Sequence, residues 1–100
     1  MGILRQHKVT PFLEEYGFSY DPWNCTYYTN FTINETYVLF VEINLSAREI
    51  EFLTEYECGG TISKDTDIIP SDVNSKEELI DFLDDVITER LEREKRAWGN

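Results

Sequence analysis

From Cys25 to Cys58 the chain alternates apolar and polar residues with a period of two, in three runs. In the first, Cys25, Tyr27, Thr29, Phe31 and Ile33 share one side and Thr26, Tyr28, Asn30 and Thr32 share the other. In the second, Tyr37, Leu39, Val41, Ile43 and Leu45 alternate with Val38, Phe40, Glu42 and Asn44. In the third, Ile50, Phe52, Thr54, Tyr56 and Cys58 oppose Glu49, Glu51, Leu53, Glu55 and Glu57. Successive side chains of a strand point to opposite faces, so this pattern predicts a sheet with one face on the core. Directly paired residues must share a face. That requirement predicts a three-residue connection, Asn34-Glu35-Thr36, or a bulge, between the first two strands. It also predicts an even-numbered loop, such as Ser46-Ala47-Arg48-Glu49, between the second and third, which sets Phe40 opposite Glu55 and Glu42 opposite Leu53. A competing pattern overlaps here. Ser46-x-x-Glu49 is also a capping box and Gly59 suits a helix stop, so a helix over 47–58 stays open. The period of two kept by Glu49, Glu51, Glu55 and Glu57 favours the strand.

The flanks read as helices. Ser75-Lys76-Glu77-Glu78 is a capping box, followed by apolar residues at Leu79, Leu83, Val86, Ile87 and Leu91. This predicts a helix over 76–96, with Glu77 and Glu78 at its positive end and Arg90, Arg93, Lys95 and Arg96 at its negative end. Beyond Leu91 the apolar stripe fades, so residues 92–100 are expected to project. Thr10-Pro11 reads as an N-cap with proline at the first helical position, opening a two-turn helix that Gly17 ends. Residues 1–9 are then a flexible arm and residues 18–24 an aromatic loop holding Phe18, Tyr20 and Trp23. Gly59-Gly60 is a turn, and 61–73 a loop with at most a short strand near Thr61-Ile62 or Ile68-Ile69. The expected architecture is α+β in the order α-β-β-β-α. One domain of 100 residues holds a three-stranded antiparallel sheet with a long C-terminal helix packed on one face.

Charge changes this picture most. Twenty acidic residues oppose nine basic ones, for a net charge of −11. Between Thr10 and Glu89 the basic residues are Arg48, Lys64 and Lys76 alone. Such a body repels nucleic acid and anionic membranes and attracts basic surfaces; acidity also serves solubility. No run approaches the ~20 apolar residues of a membrane span. The first eight residues lack the apolar core of a signal peptide, and Gln6 stands where a myristoylation site wants Ser or Thr. The sequons at Asn24, Asn30, Asn34 and Asn44 then read as chance matches. The expectation is a cytoplasmic protein.

Candidate chemistry is sparse, and no enzyme is expected. The single histidine, His7, lies in the arm and nominates no catalytic set. Cys25 and Cys58 fall on the core side of their runs and are expected as buried thiols. Asp65-x-Asp67, near Asp72, invites a calcium reading. An EF-hand loop, however, wants an oxygen ligand at Ile69, a glycine at Pro70 and a glutamate at Lys76, so a solvated loop is expected. No cofactor and no metal are expected.

The informative surface is the face opposite the core. On it, Tyr28, Val38, Phe40 and Leu53 lie among Glu42, Glu49, Glu51, Glu55 and Glu57. Apolar groups inside an acidic ring resemble an interface with central anchors and a charged rim. The expected partner-binding set is Tyr28, Phe40, Glu42, Glu49, Glu51, Leu53, Glu55 and Glu57. Carboxylates ~5–7 Å apart across a sheet, with Asp81, Asp84, Asp85 and Glu89 down the helix, can stand in for phosphates. In size, charge and helix–sheet–helix order the chain resembles the small acidic proteins that phages encode against host defence, anti-CRISPR proteins among them. That resemblance implies an inhibitor or adaptor docking on a basic, nucleic-acid-binding protein in the host cytoplasm. The alternative is a small structural or assembly subunit that oligomerises through its sheet or its aromatic loop. Covering of the outer face by the first helix, by the aromatic loop or by a dimer partner also stays open.

Overall fold

A computed structural model describes residues 6–98. The elements run α1 (Gln6–Tyr16), β1 (Ser19–Asp21), β2 (Thr26–Thr32), β3 (Tyr37–Asn44), β4 (Glu49–Tyr56), β5 (Thr61–Ile68) and α2 (Lys76–Trp98). The fold is α+β. Its antiparallel sheet has five strands in the order β1-β2-β3-β4-β5, not three.

Helix α2 forms where its capping box predicts. Ser75 Oγ accepts the Glu78 N–H at 3.1 Å, and Glu78 Oε1 accepts the Ser75 and Asn74 N–H groups, both at 3.1 Å. Leu79, Leu83 and Ile87 are buried along one stripe, each contributing about 1.5–3 kcal/mol. The stripe does not stop at Leu91. Arg90 and Glu94 continue it and are also buried, at 8% and 7% exposure. Asn34 Nδ2 donates to the Trp98 carbonyl at 2.9 Å, and the Trp98 ring lies 5.3 Å from that of Tyr37. The helix end is therefore docked as far as Trp98 and does not project from residue 92. Periodicity in apolar residues alone misses it, because polar residues hold the last two turns.

Helix α1 begins before Pro11 rather than at it. Val9 and Leu13, four residues apart, are both buried, and Thr10 Oγ1 hydrogen-bonds the Tyr27 hydroxyl. Burial of Val9 and this bond offset a proline inside the helix, which costs about 3 kcal/mol. The expected arm is thus helical from Gln6, while residues 1–5 and the His7 side chain lie outside the described part. Gly17, at φ +120°, closes α1. Its N–H reaches the Glu14 carbonyl at 3.1 Å and the Phe18 N–H reaches the Leu13 carbonyl at 2.8 Å, a Schellman motif with buried Leu13 and Phe18 beneath it. Part of the expected aromatic loop, Ser19–Asp21, is β1. Phe18 is buried, the Tyr20 ring lies 5.0 Å from that of Tyr27, and Trp23 is 93% exposed in the turn.

Residues 49–56 are a strand, not a helix. The hairpin β2–β3 closes through Asn34-Glu35-Thr36, as the shared-face argument requires, pairing Phe31 with Leu39. Asn34 Oδ1 holds it by accepting the Thr36 and Tyr37 N–H groups at 2.8 and 3.0 Å. The β3–β4 loop also has four residues, but they are Leu45 to Arg48, with Asn44 opposite Glu49. The register therefore slides by two from the expected one. Arg48 makes this closure by adopting φ +54°, a conformation that side chains rarely take. Its guanidinium donates to the carbonyls of Ile69, Pro70 and Val73, at 3.4 Å for the first and 2.8 Å for the last.

Strand β5 occupies most of the expected loop. Its core-side residues Asp65 and Asp67 sit opposite Phe52 and Ile50. Arg90 makes this tolerable, donating to Asp65 at 2.5 Å, approaching Asp67 at 3.8 Å and lying 4.7 Å over the Phe52 ring. The hydrogen bond and charge of Arg90 hold the Asp65 carboxyl below its ordinary range. Asp65 and Asp67, expected in a solvated loop, thus anchor an edge strand to α2.

Both helices pack on one side of the sheet. Val9 and Leu13 of α1, Leu39, Val41 and Ile43 of β3, Ile50 and Phe52 of β4, and Leu83 and Ile87 of α2 form one core cluster. Neither helix covers the opposite face. Cys25 and Cys58 lie in turns at strand ends and are exposed, correcting the expected burial. The alternation reaches Cys25, one residue before β2, and Cys58, two residues after β4, and both lie outside the sheet. No described helix is long and apolar enough to cross a membrane.

Candidate functional site: the open face of the sheet

The face away from the helices is built in cross-strand rows. One row runs Ser19, Tyr28, Glu42, Glu51, Thr66. The next is Asn30, Phe40, Leu53, Lys64, and the third joins Thr32, Val38 and Glu55. A fourth row begins where Glu49 faces Ile68. The strands thus bring seven of the eight expected residues onto one surface, and Glu57 joins its border from the turn after β4.

The centre is apolar. Phe40 and Leu53 are direct partners on adjacent strands, each half-buried, with Val38 beside them. Tyr28 is 46% exposed. The expected opposition of Phe40 to Glu55 and of Glu42 to Leu53 is replaced. With the register slid by two, apolar meets apolar and Glu42 meets Glu51. Like charges directly opposite are destabilising. Two neighbours relieve this pair: Thr26 Oγ1 donates to Glu42 at 3.0 Å, and Lys64 Nζ lies 3.4 Å from Glu51. Glu51 is therefore already answered by a cation. Glu55 accepts the Thr61 hydroxyl at 3.2 Å, a neutral partner that leaves its charge in place. Glu49 and Glu57 are exposed.

At the end of the sheet near the β2–β3 and β4–β5 turns the face dips into a cavity of about 320 Å³. Val38 and Phe40 line it, with Glu55 and Glu57 to one side and Asn30 and Thr32 to the other. The Glu57 N–H donates to the Thr36 carbonyl at 2.7 Å, tying the two turns together. Gly59, at φ +106°, adds no side chain to the mouth.

Sequence reasoning missed Lys64 and Ile68 as parts of this face, and set Asn30 and Thr32 on it without counting them in the partner-binding set. Ile68 is 64% exposed at its edge. The signal for Asn30 and Thr32 was present, since both share a side with Tyr28. The signal for β5 was hidden, because Thr61 to Asp67 is polar on both sides apart from Ile62. The acidic stripe of α2 also exists. Asp81, Asp84 and Asp85 are exposed, and the Tyr16 hydroxyl donates to Asp84 at 3.3 Å. It carries charge without apolar centres like Phe40 and Leu53. Among the described residues no three acidic, histidine or cysteine side chains are gathered as a metal site would need.

No family model matches the chain, and neither a curated protein nor a solved structure similar to it was found.

Proposed function

We propose that this protein is a binding module without catalysis of its own, whose open sheet face docks on the basic, nucleic-acid-binding surface of another protein. The observation that supports it is the direct pairing of Phe40 with Leu53 at the centre of a face bordered by Glu42, Glu49, Glu55 and Glu57. Apolar anchors exclude water at the middle of an interface, and surrounding charge steers the encounter and selects the partner's sign. Keeping Glu42 opposite Glu51 costs stability and gathers charge at the spacing of neighbouring strands. A fold optimised only for solubility could scatter those carboxylates. In this reading the carboxylates occupy phosphate positions on the partner, and the protein acts as an inhibitor or adaptor, in the manner of phage proteins directed at host defence.

The test is capture from a native host lysate at low and high salt, followed by displacement. The captured protein should bind nucleic acid, release the chain as salt rises, and lose its nucleic acid when the chain is added. A captured partner that keeps its nucleic acid in the presence of saturating chain contradicts the proposal.

Self-association as a structural subunit is the second reading, favoured by two observations. Trp23 stands 93% exposed, and β5 is an eight-residue strand paired only with β4. Sedimentation at high salt separates the two readings, since self-association through these groups survives screening and docking by charge does not.

A further inference from the structure

We infer that the cavity at the turn end of the open face receives an arginine side chain of the partner protein. This rests on the reading of that face as a docking surface for a basic partner, and it names the group that anchors there.

Shape, charge and rigidity point to one side-chain type. The cavity is open to solvent at a sheet face and holds about 320 Å³, room for a side chain rather than a domain. Its apolar and aromatic lining is Val38, Phe40 and Tyr56, suited to an aliphatic stem and a flat cation. Its charged lining is Glu55 and Glu57. One Glu55 oxygen accepts from Thr61, leaving the other for a guest. Lys64, the cation nearest in the sheet, faces Leu53 and lies against Glu51, a separate carboxylate. The Glu57 to Thr36 backbone bond fixes the two walls relative to each other before any guest arrives. A guanidinium stacks on an aromatic face and meets a carboxylate with a two-pronged fork, whereas an ammonium is a compact, strongly hydrated point charge. Phe40 and Glu55 supply both halves of that recognition within one cavity, so arginine is preferred to lysine.

The experiment titrates the isotope-labelled full chain with three blocked pentapeptides, identical except for a central arginine, lysine or citrulline, and follows amide shifts by NMR. The arginine peptide should shift the amides of Val38, Phe40, Glu55, Glu57 and Gly59. It should bind about two- to fivefold tighter than the lysine peptide, the worth of one exposed cation–π contact. The citrulline peptide, of the same shape without charge, should leave these amides unmoved. Glu57→Gln, in an exposed turn, should weaken the arginine response while the core amides stay in place. Phe40→Leu should abolish the preference for arginine over lysine. Equal binding of the two basic peptides, or shifts centred on Tyr28, Glu42 and Glu51, would overturn the assignment of this cavity and leave the basic-partner reading standing. Absence of any basic-peptide response on the open face at low salt would overturn both.

Discussion

Replacing Thr54 with valine removes one hydroxyl from the core and leaves the volume nearly unchanged. Thr54 is 2% exposed, and its hydroxyl donates to Glu94 Oε1, which also accepts the Trp98 indole N–H at 3.1 Å. A hydrogen bond to an ionised group is worth about 1.5–3 kcal/mol, and losing a donor leaves the buried acceptor with its desolvation cost. The indole bond remains in Thr54→Val, so the loss should stay inside that range. For a domain of this size each kcal/mol corresponds to roughly 4–8 °C in Tm, so Tm should fall by about 6–24 °C. Thermal and urea unfolding followed by circular dichroism measure both quantities, with an unchanged urea slope showing that the unfolded state is unaffected. The double variant Thr54→Val, Glu94→Leu supplies the control. Removing both partners relieves the stranded carboxylate, so it should be more stable than the sum of the single changes by about 1 kcal/mol or more. A Thr54→Val protein within about 0.5 kcal/mol of wild type, with additive double-variant energies, would refute the claim that this bond docks the end of α2.

Two further outcomes follow from the same geometry. Asp65 is held below its ordinary value of 3.8, first by the hydrogen bond and then by the charge of Arg90. A depressed carboxyl stabilises the fold above its unfolded pKa and loses that contribution as pH falls through the folded one. Asp65→Asn should therefore be less stable than wild type at neutral pH, with the gap closing below about pH 4; a gap that widens on acidification contradicts this. Arg48→Ala removes a guanidinium shared by three carbonyls. It should cost roughly 1.5–3 kcal/mol and speed hydrogen exchange at Ile69 and Val73, and Arg48→Lys should recover only part of the loss because an ammonium lacks the fork.

The parts of the fold written in local pattern were readable. The period of two placed β2, β3 and β4 and sorted their faces. The Ser75–Glu78 box started α2 at the right residue, and both hairpin loops obey the parity of paired faces, an odd connection after β2 and an even one after β3. What escaped depends on partners distant in the chain. Asp65 and Asp67 on the core side of a strand make sense only once Arg90, twenty-five residues after Asp65, lies above them. Glu94 stands among the basic residues of the helix end, and its role shows only when Thr54 and Trp98 are seen around it. Pro11 reads as a helix start because proline is over-represented at the first helical position, and the burial of Val9 shows why the chain coils before it. The slide of the β3–β4 register rests on Arg48 adopting a left-handed backbone, a choice that its tethered side chain supports. The open face survived these errors because a slide of two keeps every side chain on its side of the sheet. It did change the neighbours, uniting Phe40 with Leu53 and setting Glu42 opposite Glu51.

Acidity alone would attract a basic partner to any side of this molecule, so the most direct measurement moves the same charge to two places. Glu49→Lys with Glu55→Lys alters the open face, and Asp81→Lys with Asp85→Lys alters the exposed side of α2 by an equal net charge. Affinity for the captured nucleic-acid-binding partner is then compared at low salt. The open-face pair should abolish binding while the helix pair reduces it only slightly. Equal losses in the two pairs would contradict a docking face on the sheet and leave net charge as the whole of the attraction.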